Sequence, residues 1–259
     1  MEQEMTFWDH LEELRGVLFR SLISVVLMMV VFFIFMPDIF DKIILAPCRS
    51  DFYLYGILCK ANEYVGVLPD FCGDNFKVHL INIKLASQFM THMTTSFSLG
   101  LLFSFPFVLY QLWGFVSPAL YPHEKKSIAF AFVLGNILFL VGVFVGYSVV
   151  FPMTLRFLVQ YQLSSLIENQ LSLDSYMSNF LTLIFVIGIF FEMPLLALIL
   201  SKLGFLRRSF FHEYRRYAIV ITLIAAAFIT PSGDPFTLGV VFLPLYMLWE
   251  LSALFVKKN

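Results

Sequence analysis

Charge is scarce in this chain. Asp, Glu, Lys and Arg make up 14% of its 259 residues against 59% hydrophobic ones, and the mean hydropathy is +0.84. A soluble domain of that length cannot bury so much apolar surface, which excludes an ordinary soluble fold. Basic excess is missing as well: the net charge is −1 and the pI about 6.5, so no broad cationic face is offered to nucleic acid. The sequence has no G-x-x-x-x-G-K-[ST] phosphate loop, no H-E-x-x-H helix and no paired cysteine and histidine ligand set. No nucleotide hydrolysis, metal or cofactor is expected. Serine, threonine and histidine form no recognisable catalytic arrangement, so no enzyme is expected either. The opening MEQEMTFWDHLEELR lacks the basic stretch and small-residue cleavage site of a removable signal, so the first apolar run should be retained. Cysteine is nearly absent. Cys48, Cys59 and Cys72 all fall in one polar connection, which hints at an oxidising side and leaves one thiol spare.

Long apolar runs are what the chain has in abundance. A helix needs roughly 20 apolar residues to cross a bilayer, and such runs lie near 17–36, 88–113, 127–150 and 176–201, followed by 217–230 and 236–256. The expected fold is all-α: a single polytopic membrane domain over 1–259, its six spans kinked into a concave bundle with a long first outer loop. Membrane lipid is therefore a partner, and the 32 phenylalanines suit lipid-facing and helix-packing surfaces. The fifth run, at about 14 residues, reaches only about 21 Å. Either the bilayer thins around it, or its helix extends through Arg215 and Arg216 by snorkelling or tilts against neighbours.

Six spans put both termini on one side, and Lys and Arg counts say which. The terminal side carries 11 of them (Arg15, Arg20, Lys125, Lys126, Lys202, Arg207, Arg208, Arg215, Arg216, Lys257 and Lys258), the opposite side six. Both termini are therefore expected in the cytoplasm, in the inner membrane of a cell. The cysteine loop then faces outward, in agreement with the redox hint. A Cys59–Cys72 bridge would close a loop of about 14 residues and contribute roughly 3 kcal/mol, although sequence alone cannot assign the pairing.

Some polar groups sit where lipid should exclude them. Glu192 lies inside LIFVIGIFFEMPLLALIL with no Lys or Arg within nine residues, so it needs water, a partner or a proton. It either ties helices together as a hydrogen-bonded group or faces a cavity or partner helix. Pro194 weakens the helix ladder beside it, and Pro106, Pro152 and Pro244 predict comparable kinks. At the terminal side, His10, Glu12, Glu13 and Arg15 precede the first span, while SPALYPHEKK carries His123 and Glu124. Two carboxylates beside lipid could receive two guanidinium groups through bidentate hydrogen bonds, which distinguish Arg from Lys.

These residues resemble a family. HLEELR at 10–15 is similar to the amino-terminal signature H-L-x-E-L-R of TatC, the signal-receptor subunit of the twin-arginine protein translocase. FVSPALYPHEKK at 115–126 resembles the F-x-x-P-x-L-x-x-x-E-(R/K) of its first cytoplasmic loop, FEMP at 191–194 its fourth-span F-(E/Q)-x-P, and TPSGDPFT at 230–237 its outer T-P-x-D turn. The chain departs from the pattern at Gly16 and Val17, where a further basic residue is usual, and at the extra Ser232 and Gly233. The resemblance implies a receptor for twin-arginine signal peptides that, with TatA- and TatB-like single-span subunits and further copies of itself, exports folded proteins on the proton-motive force. By position it implies that Glu13 and Glu124 hold the arginine pair and that His10, Arg15, Phe115, Pro118, Leu120 and Tyr121 shape that site. It also implies that Glu192 with Pro194 faces the concave interior, and that Pro47, Pro231 and Asp234 belong to the outer caps. The alternative is a proton-coupled secondary transporter that uses Glu192.

Overall fold

Hydrocarbon offers no water to the backbone, so spans this apolar close their hydrogen bonds internally as helices. The computed structural model describes residues 7–65, 78–119, 122–164, 169–202, 204–230 and 232–256. Helix α1 (Phe7–Ile39) continues through a π turn (Phe40–Ile44) and a 3-10 turn (Ala46–Cys48), making one apolar rod from His10 to Cys48. After α2 (Tyr53–Val65) come α3 (Ser87–Val116), a 3-10 turn (Ser117–Ala119) and α4 (Pro122–Val145). A π turn (Gly146–Val150) joins α4 to α5 (Phe151–Gln160), and then follow α6 (Leu173–Phe190), α7 (Met193–Lys202), α8 (Arg208–Glu213), α9 (Arg215–Ile229) and α10 (Pro235–Phe255).

Five of these rods are long and apolar enough to cross a membrane: His10–Cys48, Ser87–Val116, Ile128–Gln160, Leu173–Lys202 and Pro235–Phe255. The sixth, α9, has 15 residues and so spans only about 22 Å. The third rod runs ten residues beyond its expected end at 150. Its π turn delivers Pro152 to the first turn of α5, where a missing N–H costs no helical bond. The fourth is broken. At Glu192 the backbone N–H donates to the Ile189 carbonyl, three residues back, at 3.0 Å, and α7 starts afresh around Pro194.

Successive rods run antiparallel. His10 at the start of α1 stacks on Phe115 at the end of α3, centroids 4.3 Å apart, while Phe33 near the other end of α1 stacks on His92 at 4.1 Å. The α1–α3 hairpin packs backbone against backbone, since a Cβ on Gly100 would lie 2.7 Å from the Met29 nitrogen. Gly142 of α4 gives similar room to the Phe191 side chain. The core runs through α4, α6 and α10, where Phe139, Leu183, Ile187, Val241 and Leu245 are fully buried. Arg215 pairs with Glu250 at 2.6 Å, which ties the start of α9 to the last turns of α10.

The opposite end is closed by tyrosines. Pro37 and Pro47 have no N–H, which leaves the Phe33 and Ile43 carbonyls without their helical donors. His92 Nε2 meets the Phe33 oxygen at 2.9 Å and therefore carries the hydrogen, while the Tyr147 hydroxyl donates to Ile43 at 2.9 Å. Tyr176 donates to the Ile44 oxygen and Tyr55 to the Pro47 oxygen, the latter at 2.7 Å. Burial pushes the Tyr55 hydroxyl above the ordinary phenol range, so it stays a donor. A fully buried Arg156 guanidinium lies over the Tyr55 ring, 4.6 Å from its centre. Next to this cluster, the two-residue strands β1 (Leu80–Ile81) and β2 (Leu171–Ser172) pair in parallel, and Lys84 meets Asp174 at 2.8 Å. Cys59 is disulfide-bonded and Cys48 is a free buried thiol, while Cys72 lies outside the described residues.

Gly100→Val forces helix backbones apart and should cost about 1–3 kcal/mol, as overpacked cores do. Gly56→Ala, at a position with no atom within 4 Å, should cost nothing. Thermal unfolding of the purified variants in detergent checks the pair.

Candidate functional site at the terminal end of the bundle

The start of α1 presents an acidic turn. Glu12 and Glu13 precede Gly16 and Val17 by one helical turn, so all four share one side of the helix. Together with Arg20, and with Gln111 and Gly114 of α3, they line a cavity of about 340 Å³. Glu13 is held from above: His10 Nδ1 lies 3.8 Å from its Oε2, and the His10 ring is itself fixed by its stack on Phe115. That distance is too long for a hydrogen bond. Glu13 Oε2 is accordingly shielded from solvent with no hydrogen-bond partner among the described residues. A carboxylate oxygen left in this state beside an open cavity is an acceptor lacking its donor, and burying it unpaired is costly.

Other expected site residues fall into place less evenly. Pro118 is exposed in the 3-10 turn that follows Phe115. The Arg15 guanidinium lies over the Phe19 ring, 5.5 Å from its centre, and does not line the cavity. Glu124 belongs to the first turn of α4. Its side chain, and Leu120 and Tyr121 altogether, lie outside the described residues. Gln111, Gly114 and Arg20 were not singled out from the sequence. Gln111 stands four residues before Phe115, and Arg20 seven after Glu13, so helical spacing was the available signal.

Glu192 occupies a different place, at the break between α6 and α7. It is 8% exposed, and neither carboxyl oxygen has a hydrogen-bond partner among the described residues. A Cβ on Gly135 would lie 2.8 Å from its Oε2 and 2.6 Å from Leu195 Cδ2, so the side chain fills a notch in α4 that only glycine leaves open. The neighbouring Asn136 donates to the Phe132 carbonyl at 3.0 Å and keeps its own Oδ1 buried and unpaired. Pro194 is buried beside it. At the far end, Asp234 caps α10 by accepting from the Phe236 and Thr237 amides at 3.0 and 2.9 Å, and Pro47 is buried under Tyr55. Pro231 lies outside the described residues. Among the described residues no cluster of three His, Cys, Asp or Glu could hold a metal.

The family model of the Sec-independent protein translocase protein TatC matches residues 9–244. The chain belongs to the TatC family. Its curated TatC relatives include that of Deinococcus radiodurans, 32% identical over 94% of this chain and 83% of that one. That of Blattabacterium from Periplaneta americana is 31% identical over 97% and 94%. A crystal structure described as the twin-arginine translocase receptor TatC superposes with a TM-score of 0.71 at 30% identity, covering 95% of this chain and 97% of that one. A second, in the detergent DDM, gives 0.75 at 30% identity over 96% and 99%. A multi-pass, all-helical TatC membrane fold is thereby established, and none of these relatives supports the transporter alternative. Within that TatC fold the first-span signature and the loop after α3 meet through His10 and Phe115, whereas FEMP lies at the α6–α7 break.

An unpartnered buried carboxylate is destabilising, so Glu192→Gln, which keeps the shape and loses the charge, should leave the midpoint of thermal unfolding unchanged or raise it. A fall of several degrees, read by scanning fluorimetry in detergent, would mean that Glu192 satisfies a partner as an anion.

Proposed function

We propose that this chain is the twin-arginine signal-peptide receptor and core subunit of a protein translocase, exporting folded proteins on the proton-motive force. The observation that carries the reading is Glu13: a buried carboxylate oxygen without a donor, on the wall of a cavity at the bundle's terminal end. A guanidinium supplies paired donors in a planar fork that suits such an acceptor, and an ammonium supplies a point charge without that geometry. Glu124, in the first turn of α4 just after Pro118 and the loop, is the candidate second acceptor. TatA- and TatB-like single-span subunits, and further copies of this chain, are the partners that we assign to the exposed apolar faces. Support for the cytoplasmic placing of both termini comes from the excess of Lys and Arg on their side. In this orientation α2 and the disulfide-bonded Cys59 face outward, as an oxidising compartment requires.

Two measurements test this. In nanodiscs, a signal peptide bearing Arg-Arg should bind more tightly than the same peptide bearing Lys-Lys, and Glu13→Ala should remove the difference. Equal binding of both peptides to the unmutated protein rules the recognition site out. In intact cells, a membrane-impermeant thiol reagent should label Cys59 only after mild reduction. Labelling confined to broken cells would reverse the topology.

A further inference from the structure

Gly16, Val17, Leu18 and Phe19 follow HLEELR, so α1 carries no charge between Arg15 and Arg20. Positive charge nevertheless reaches the same surface from one turn deeper. Side chains on a helix lean toward its N-terminus and over the residue four positions back, and for Arg20 that residue is Gly16. Arg20 Nη2 lies 3.8 Å from where a Gly16 Cβ would be. With no side chain at 16 to obstruct it, the guanidinium folds back along α1 and lines the same cavity as Glu12, Glu13 and Gln111. Yet Arg20 forms no ion pair with a carboxylate among the described residues, and Glu13 Oε2 remains without a hydrogen-bond donor. The cavity thus contains an acceptor and a cation that share one space without forming an ion pair among the described residues.

We propose that Arg20 is an affinity-setting residue of the receptor site: a resident cation that opposes every incoming cation and keeps the twin-arginine complex weak enough to release. The inference rests on the receptor reading above. Glu12 and Glu13 attract a dicationic ligand, and Arg20 subtracts from this attraction without occupying the carboxylate oxygens. Its repulsion acts alike on arginine and lysine ligands, so it lowers affinity while leaving the preference for the guanidinium fork to Glu13. A lone cation, which gains less from the carboxylates, is held off by the same repulsion.

The test is titration of the nanodisc-embedded protein with the Arg-Arg and Lys-Lys peptides at several salt concentrations, for the unmutated chain, Arg20→Gln and Arg20→Lys. Removing the charge makes the cavity more negative by one. Arg20→Gln should therefore tighten both peptides by about two- to fivefold, the size of a partly exposed charge interaction. It should also steepen the salt dependence, with the Arg-Arg to Lys-Lys ratio unchanged, and Arg20→Lys should behave as the unmutated chain. Weaker binding to Arg20→Gln with an unaltered unfolding profile overturns the inference, because Arg20 would then hold the ligand. Unchanged affinity and salt slope overturn it equally. If the unmutated chain binds neither peptide, the receptor reading falls and takes this inference with it.

Discussion

A carbonyl freed inside hydrocarbon has no water to turn to, and the far end of this bundle is organised by that constraint. Around Pro37 inside α1 and Pro47 in the 3-10 turn beyond it, four oxygens, those of Phe33, Ile43, Ile44 and Pro47, lack regular helical donors. His92, Tyr147, Tyr176 and Tyr55 supply the hydrogens instead, and they come from four different elements. Each bond in isolation contributes on the order of 1 kcal/mol. Two of the four, at Ile44 and Pro47, are buried, and breaking one of those strands a buried acceptor at greater cost, so these bonds hold together the first span, helix α2 and the spans of α3, α4–α5 and α6.

With one end clasped, the other can stay open. The α1–α3 hairpin is closed enough for Gly100 to touch the α1 backbone, so its register is set along its whole length. That register brings His10 over Phe115 and leaves Glu13 facing a cavity beside Gln111. Rigid helices thereby hold Glu13 Oε2 beside the cavity with no hydrogen-bond donor among the described residues. Glu192 shows the opposite arrangement: its carboxyl is packed into a glycine notch and reached by no hydrogen bond.

Much of this was legible in the residues. The composition and the apolar runs led to the membrane fold, and HLEELR and FVSPALY stood out as two polar motifs that the fold brings side by side through His10 and Phe115. The short fifth span was evident from its length alone. Less visible were the π turns after Ile39 and Val145, because they depend on where a proline falls relative to tertiary donors rather than on local preference. Arg156 was counted only as a charge on the far side. Nothing in its sequence surroundings signals that it would be fully buried over Tyr55.

The sequence by itself determined that long apolar helices must lie in lipid and which few polar residues would need company, since hydropathy and the cost of a buried charge act on each residue alone. Which residue provides that company was decided only by tertiary structure. Donors such as Tyr147 for Ile43, and ring partners such as Phe115 for His10, are set by the register between helices. Both are properties of packed pairs, and a single strip of sequence does not contain them.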